Sequence, residues 1–173
     1  ARPFRETGRF SEGVSLIYGM NHRMDAGIGR ILDQIDRAGL TEDTLVLFTS
    51  DNGPQFGGQG DMCTTRFNGH LNGSKGLTYE GGIRVPAILR WPGGVNRKCA
   101  VDSASLLGRD RRSRPGVVDS MVHFSDWFPT LAGIAGASLP DSPPIDGRDV
   151  IGILRGEPDH CGVARFWQWN RYS

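Results

Sequence analysis

Three polar residues have the types and the positions to act on an anionic substrate. Asp51 and Asn52 directly follow an apolar run, and Lys75 lies between glycines farther along the chain. A carboxylate and an amide carbonyl are hard oxygen donors, which suit calcium or magnesium better than zinc or copper. A lysine flanked by flexible backbone can bring its ammonium close to an anion. These residues are candidates for a site that holds a metal ion and an anionic group. Two ligands alone cannot hold a metal, however, and in isolation Asp-Asn-Gly is better explained as a turn and Lys75 as an exposed loop lysine.

The residues around Lys75 exclude one class of anion site, the nucleotide-binding P-loop. The segment 72–76 does not match a P-loop, which requires Gly directly before the Lys and Ser or Thr directly after it. Nucleotide binding through that motif is therefore excluded. His70 lies in the same glycine-rich loop and is a candidate for contact with the substrate, although single histidines more often pack or face solvent. Glu80 and Arg84, on either side of two glycines, are expected to form a structural ion pair.

The elements that must position these residues predict an α/β fold. Apolar residues recur every three or four positions from Ser11 to Ala38, which predicts an amphipathic helix with Ser11 as its N-cap and Gly39 after its last turn. Residues 44–49 are a continuous apolar and β-branched run, typical of a strand buried on both faces. Ligands of open α/β sheets bind at the carboxyl ends of such strands. Asp51 and Asn52 stand at that edge.

The rest of the chain alternates loops with short elements. Residues 53–82 contain many glycines, and an irregular stretch of this length is typical of a working loop. Residues 85–91 predict a second short strand. The polar stretch 95–117 predicts a solvated loop, with an anion site at its arginines as the alternative.

Two more helices are expected near the end of the chain. Ser125 is a candidate N-cap for a helix that ends at Gly136. A last short helix is expected around 150–154.

The composition limits the classes of protein to which the chain can belong. Of 173 residues, 38% are hydrophobic and 23% charged, with a mean hydropathy of −0.35, which is typical of one globular domain. A net charge of +1 creates no field that would attract nucleic acid or an acidic membrane. No apolar run approaches the roughly 18 residues of a membrane span. Three widely spaced cysteines without a C-x-x-C pair identify neither a zinc site nor a compartment.

The ordered set of motifs resembles the sulfatase family of the alkaline-phosphatase superfamily, and arylsulfatases in particular. No single segment carries the resemblance, which rests on their order along the chain. The segments are Met24-Asp25, Ile28-Gly29, Thr44-Leu45-Val46-Leu47-Phe48-Thr49-Ser50-Asp51-Asn52-Gly53, Gly73-Ser74-Lys75-Gly76, Tyr79-Glu80-Gly81-Gly82-Ile83-Arg84-Val85-Pro86, Arg90-Trp91-Pro92-Gly93, Asp126-Trp127-Phe128-Pro129-Thr130-Leu131 and Asp146-Gly147-Arg148.

This resemblance implies a hydrolase of sulfate esters, in which a cysteine converted to formylglycine attacks sulfur and a calcium ion polarises the sulfate oxygens. It implies that Asp51 and Asn52 are calcium ligands, and that Lys75 binds the sulfate and stabilises the leaving oxygen. The implied fold is a sandwich like that of alkaline phosphatase, with a mostly parallel central sheet flanked by helices. The implied substrate is a small sulfate ester or a sulfated carbohydrate.

Other parts of the family's site have no counterpart in these positions. The upstream aspartate pair is one of them, and Cys63-Thr64-Thr65-Arg66 does not match the nucleophile motif C-x-P/A-x-R. We therefore expect 1–173 to be a single incomplete catalytic domain, with 95–117 as an inserted loop. The nucleophile is then expected upstream, and the remaining calcium ligands outside the chain. The isolated chain is expected to be inactive.

Two alternatives stay open. A phosphate or phosphonate ester hydrolase of the same superfamily would use the same Asp-Asn pair and lysine. A non-catalytic fragment derived from a sulfatase would at most bind anionic sugars or calcium weakly. The identity of the nucleophile separates these readings, and aryl sulfates, sulfated sugars and sulfated steroids all fit as substrates.

Overall fold

The computed structural model describes residues 2–55, 68–95, 116–160 and 162–168. Most of the predicted loop 95–117 and the segment 63–66 lie outside these residues. The chain is α/β and divides into two compact units, Ala1–Gly93 with Trp167–Ser173, and Gly94–Phe166. The elements in chain order are α1 (Arg2–Arg5), α2 (Glu12–Arg37), β1 (Val46–Thr49), α3 (Glu80–Ile83), β2 (Ala87–Arg90), α4 (Phe124–Ile134) and α5 (Ile151–Leu154).

The long helix α2 of the first unit begins and ends where the sequence predicts. The Ser11 hydroxyl accepts a hydrogen bond from the backbone N–H of Val14 at 3.3 Å, which satisfies one of the unpaired donors of the first turn. Gly39 follows the C-cap residue Ala38 and has φ 70°, in the left-handed region. Among the described helices, none combines the length and the apolarity that a bilayer crossing requires.

The apolar face of α2 is buried only near its start. Val14 is fully buried, and the rings of Phe4 and Phe10 lie 5.7 and 5.0 Å from the ring of Tyr18, so that the N-terminal segment packs on this end of the helix. Apolar side chains farther along the helix are largely exposed: Met20, Met24 and Ile31.

Strands β1 and β2 form a two-stranded antiparallel sheet, with a register that runs from Val46 opposite Arg90 to Thr49 opposite Ala87. Both strands are shorter than the predicted runs 44–49 and 85–91. Every residue of β1 is only half-buried, so its predicted burial on both faces is wrong for the described chain, because β2 is its one described neighbour. The expected mostly parallel sheet is not confirmed.

Helix α2 and the loop that follows it contact the end of β2 and the residues just after that strand. Arg90 donates to the Asp36 carboxylate at 2.6 Å. The indole N–H of Trp91 donates to the carbonyl of Glu42 at 3.1 Å. A Cβ at Gly93 would lie 2.2 Å from that same carbonyl, so the approach of the two segments requires glycine there.

In the second unit, α4 begins two residues earlier than predicted. Its N-cap is His123 and not Ser125, because the ring Nδ1 of His123 accepts from the Ser125 N–H at 3.2 Å. The Asp126 carboxylate reaches back to accept from the His123 N–H at 2.8 Å, which completes a capping box. The helix ends as predicted, with Gly136 at φ 68°.

Asp126 and Thr130 of α4 are buried polar residues that organise this unit. The Thr130 hydroxyl donates to the Asp126 carbonyl at 2.7 Å and accepts from the Val150 N–H at 2.9 Å. The Asp126 carboxylate also accepts from the Arg148 N–H at 3.0 Å and forms an ion pair with Arg165. In that ion pair Asp126 is buried and Arg165 is largely buried, with side-chain exposures of 1% and 12%.

Candidate functional site

The loop after β1 presents two oxygen-bearing side chains. The Ser50 hydroxyl donates to the carbonyl of Asn52 at 3.1 Å, which holds the turn. The Asn52 side-chain nitrogen donates to the Gly53 carbonyl at 2.9 Å, so its Oδ1 atom is the group that could bind a cation. Asp51 is exposed, and its carboxylate forms no hydrogen bond or ion pair with any described residue.

Lys75 lies at the tip of a turn in the glycine-rich loop. The N–H of Leu77 donates to the carbonyl of Ser74 at 3.1 Å and closes the turn. Gly76 has φ 85°, a conformation that a side chain would strain. The Lys75 side chain is exposed, and its ammonium is unpaired within the described ranges.

Backbone hydrogen bonds join these two loops. The Lys75 N–H donates to the carbonyl of Pro54 at 3.0 Å. The Gly53 N–H donates to the carbonyl of Gly82, in α3, at 2.8 Å. The structure therefore places Lys75 beside the loop that carries Asp51 and Asn52.

His70 lies in a separate turn ahead of Lys75. It is exposed and has φ 63°, which is uncommon for a residue other than glycine and costs of order 1 kcal/mol. The side chain of Asn68 supports this turn by donating to the carbonyls of Leu71 and Gly73 at 2.8 and 3.1 Å. Sequence reasoning missed Asn68, because nothing in the sequence indicates which carbonyls its amide meets.

The charges of Glu80 and Arg84 neutralise one another, as predicted. Their side chains meet at 3.2 Å, one helical turn apart, and both are 59% exposed. The opposite charges of Asp51 and Lys75 behave differently, since neither is used in an ion pair among the described residues. These two charges, carried on adjacent loops, are therefore available to a ligand.

The described residues do not form a complete metal site by themselves. They contain no group of three or more His, Cys, Asp or Glu side chains close enough to hold an ion. The carboxylate of Asp51 and the amide oxygen of Asn52 are nonetheless the donor types that calcium binds. They fit a hard cation as two of its six to eight oxygen ligands.

An open groove of about 960 Å³ lies elsewhere, along α2. The described residues that line it belong to α2, between Met24 and Arg37. It contains none of the predicted site residues, so the candidate site is the pair of loops and not this groove.

A family model described as "Sulfatase" matches residues 3–137 of the chain. This match covers both loops of the candidate site and all of α4.

Curated proteins with similar sequences carry sulfatase names. Steryl-sulfatase of Mus musculus is 38% identical over 159 residues, which are 89% of this chain and 22% of that protein. Arylsulfatase A of Homo sapiens is 37% identical over 150 residues, 87% of this chain and 24% of that protein. Arylsulfatase G of Mus musculus is 38% identical over 141 residues, 78% of this chain and 23% of that protein.

Two solved structures resemble the chain in fold and sequence. Ps i-CgsB, solved in complex with k-i-k-neocarrahexaose, superposes with a TM-score of 0.66 at 26% identity over 87% of this chain and 28% of that one. A Bacteroides thetaiotaomicron protein, from a study of glycosaminoglycan metabolism, superposes with a TM-score of 0.57 at 31% identity. The match covers 77% of this chain and 25% of that one. The chain thus spans about a quarter of the length of the proteins it matches.

Proposed function

The chain belongs to the sulfatase family, and from that premise we propose that it carries part of the active site of a sulfuric ester hydrolase similar to arylsulfatases. The observation that carries this proposal is the bond from the Lys75 N–H to the Pro54 carbonyl at 3.0 Å. It holds the backbone of Lys75 beside the loop that carries Asp51 and Asn52, and this supports a shared site for a metal ion and a sulfate group. The proposed fold of the whole domain is the alkaline-phosphatase-like sandwich that the resemblance implies.

Asp51 and Asn52 are proposed to hold calcium, with the remaining ligands supplied from outside this chain. The Asp51 carboxylate and the Asn52 Oδ1 atom stand at the end of β1 without a described donor. When bound, the ion would draw electron density from the sulfate oxygens and make sulfur more electrophilic. The family's formylglycine nucleophile is likewise proposed to come from outside residues 1–173.

Lys75 is proposed to act on both ends of the bond that breaks. Its ammonium donates hydrogen bonds to a sulfate oxygen and orients the group. As the bond from sulfur to the ester oxygen lengthens, negative charge grows on that oxygen, and the same ammonium stabilises it. His70, in the neighbouring turn, is proposed to contact the organic part of the substrate.

The proposed substrates are small sulfate esters or sulfated carbohydrates. The relatives named as steryl-sulfatase and arylsulfatases support the first class. The neighbour solved with k-i-k-neocarrahexaose supports the second.

A comparison of Lys75→Ala and Arg23→Ala tests this function in the full-length protein. Arg23 is an exposed cation of α2, so its loss removes the same charge away from the loops. Hydrolysis of 4-nitrophenyl sulfate is expected to fall about 100-fold in kcat/KM for Lys75→Ala and to change less than twofold for Arg23→Ala. Unchanged activity in Lys75→Ala would contradict the role of the lysine.

The choice of ester distinguishes the alternatives. Turnover of 4-nitrophenyl phosphate with no turnover of the sulfate would replace the proposal by a phosphate ester hydrolase. An absence of turnover with either ester would favour a non-catalytic member of the family.

A further inference from the structure

Three buried glycines form the contact between the loop after β1 and the Lys75 loop. These are Gly53, Gly81 and Gly82, and together they are called the glycine cluster here. Gly53 N–H donates to the Gly82 carbonyl at 2.8 Å, and Gly81 N–H donates to the Asn72 carbonyl at 2.6 Å. The cluster therefore links α3 both to the loop of Asp51 and to the residues just before Lys75.

The glycine cluster leaves no space for a side chain. A Cβ at Gly53 would lie 1.8 Å from the Gly81 carbonyl oxygen, and a Cβ at Gly81 would lie 2.2 Å from that of Gly73. A Cβ at Gly82 would lie 2.0 Å from the carbonyl oxygen of Leu77 and 2.5 Å from that of Ser74. Each obstacle is backbone, so no rotation of a side chain can relieve the overlap.

The two carbonyls that face Gly82 belong to the turn that carries Lys75. Ser74 and Leu77 are the residues whose mutual hydrogen bond, at 3.1 Å, closes that turn. A side chain at Gly82 would therefore push the Lys75 turn itself, and one at Gly53 would push the loop of Asp51 away from α3. In both cases the separation between the Lys75 ammonium and the oxygen donors changes.

We propose that the glycine cluster sets the position of the Lys75 ammonium against the leaving oxygen of the substrate, and so controls catalysis without touching the substrate. This inference rests on the proposed function, because it assigns the cluster to the step in which Lys75 stabilises the leaving oxygen. A displacement of about 1 Å can lower a rate about 100-fold when a catalytic group must be in place.

The leaving-group dependence of the reaction separates this role from simple structural damage. An ester with a poor leaving group develops more negative charge on its oxygen and depends more on the ammonium. Partial unfolding lowers the amount of active enzyme and slows every substrate by the same factor. We therefore take as the readout the ratio of kcat/KM for 4-nitrophenyl sulfate to that for phenyl sulfate.

The experiment uses Gly82→Ala, Gly53→Ala and Lys75→Ala in the full-length protein. Gly29→Ala is the matched control, because a Cβ at Gly29 in α2 meets nothing within 4 Å. The ratio is expected to rise about tenfold in all three test variants and to stay unchanged in Gly29→Ala. In a Lys75→Ala background, Gly82→Ala is expected to raise the ratio no further, since both changes remove one interaction.

The outcomes distinguish this inference from the proposed function. If Lys75→Ala leaves the ratio unchanged, the proposed role of the lysine fails. If Lys75→Ala raises the ratio but Gly82→Ala and Gly53→Ala slow both esters equally, only the role of the glycine cluster is overturned.

Hydrogen exchange of the unsubstituted protein gives a second measurement that does not depend on the variants' folding. The amides of Gly53, Lys75 and Gly81, which donate across the loops, are expected to exchange at least about 100-fold more slowly than in an unfolded chain. Exchange within about tenfold of the unfolded rate would overturn the inference, because the loops would then not be held together.

Discussion

Substitution of Asp126 by Asn is expected to destabilise the second unit strongly. The Asp126 carboxylate is 1% exposed and accepts from three groups: the N–H of His123 at 2.8 Å, the N–H of Arg148 at 3.0 Å, and the Arg165 guanidinium. Both oxygens are used, His123 bonding to Oδ2 and the other two groups to Oδ1. An amide in either orientation would therefore turn an NH₂ group toward a donor.

The expected loss of stability follows from the buried charge that remains. Removal of one member of a buried ion pair costs about 3 to 5 kcal/mol, because the other charge stays buried without compensation. The Arg165 side chain is 12% exposed, so it cannot regain full hydration without moving. We expect Asp126→Asn to lower the free energy of unfolding by about 3 kcal/mol. With a urea m-value of about 2 kcal/mol/M, the midpoint would fall by about 1.5 M.

Urea unfolding followed by circular dichroism measures this change, with Glu80→Gln as the matched control. Glu80 and Arg84 also form an ion pair, but both are 59% exposed, and an exposed pair contributes less than about 1 kcal/mol. Equal destabilisation by the two variants, or a loss below about 1 kcal/mol in Asp126→Asn, would refute the reasoning from burial.

Two further predictions concern pH and helix capping. A hydrogen bond from Thr41, and secondarily the bond from Arg90, lower the pKa of Asp36 below 3.8. The ionised form therefore stabilises the fold above that pH, and this contribution is lost as the pH falls through the lowered pKa. The melting temperature of Asp36→Asn should be below that of the unsubstituted chain at pH 6, with a difference that shrinks below pH 3.8; a constant difference would contradict this assignment. His123→Ala removes the N-cap of α4 and should cost about 1 kcal/mol in urea unfolding, whereas an unchanged midpoint would show that the cap is not needed.

Local signals explain why α2 could be predicted and why the start of α4 could not. The Ser11 hydroxyl and Gly39 are residue types that sequence patterns associate with helix ends, and both act as expected. Histidine is not among the preferred N-caps, so the ring nitrogen of His123 gave no such signal. Serine is a preferred N-cap residue, but Ser125 lies inside the first turn of α4, where its N–H donates to the His123 ring.

The arrangement of the candidate site depends on contacts that residue types do not encode. Lys75 and Pro54 are joined by backbone atoms, and any pair of residues other than a proline donor could form such a bond. Asp51, Asn52 and Lys75 could be proposed from their residue types and from the family motifs, but the contact between their loops could not. The partial burial of β1 could not be predicted either. An apolar run indicates that a strand can pack against apolar neighbours, but not how many neighbours it has.

The two loops of the candidate site carry opposite charges that form no ion pair with each other or with another described residue. Other opposite charges of this unit form ion pairs, among them Arg90 with Asp36 at 2.6 Å and Arg84 with Glu80 at 3.2 Å. Asp51 and Lys75 are also exposed, and neither forms an ion pair with a described residue. Backbone hydrogen bonds keep their loops adjacent. A cation at Asp51 and an anion at Lys75 would satisfy both charges together, which is what a sulfate ester bound beside calcium would supply.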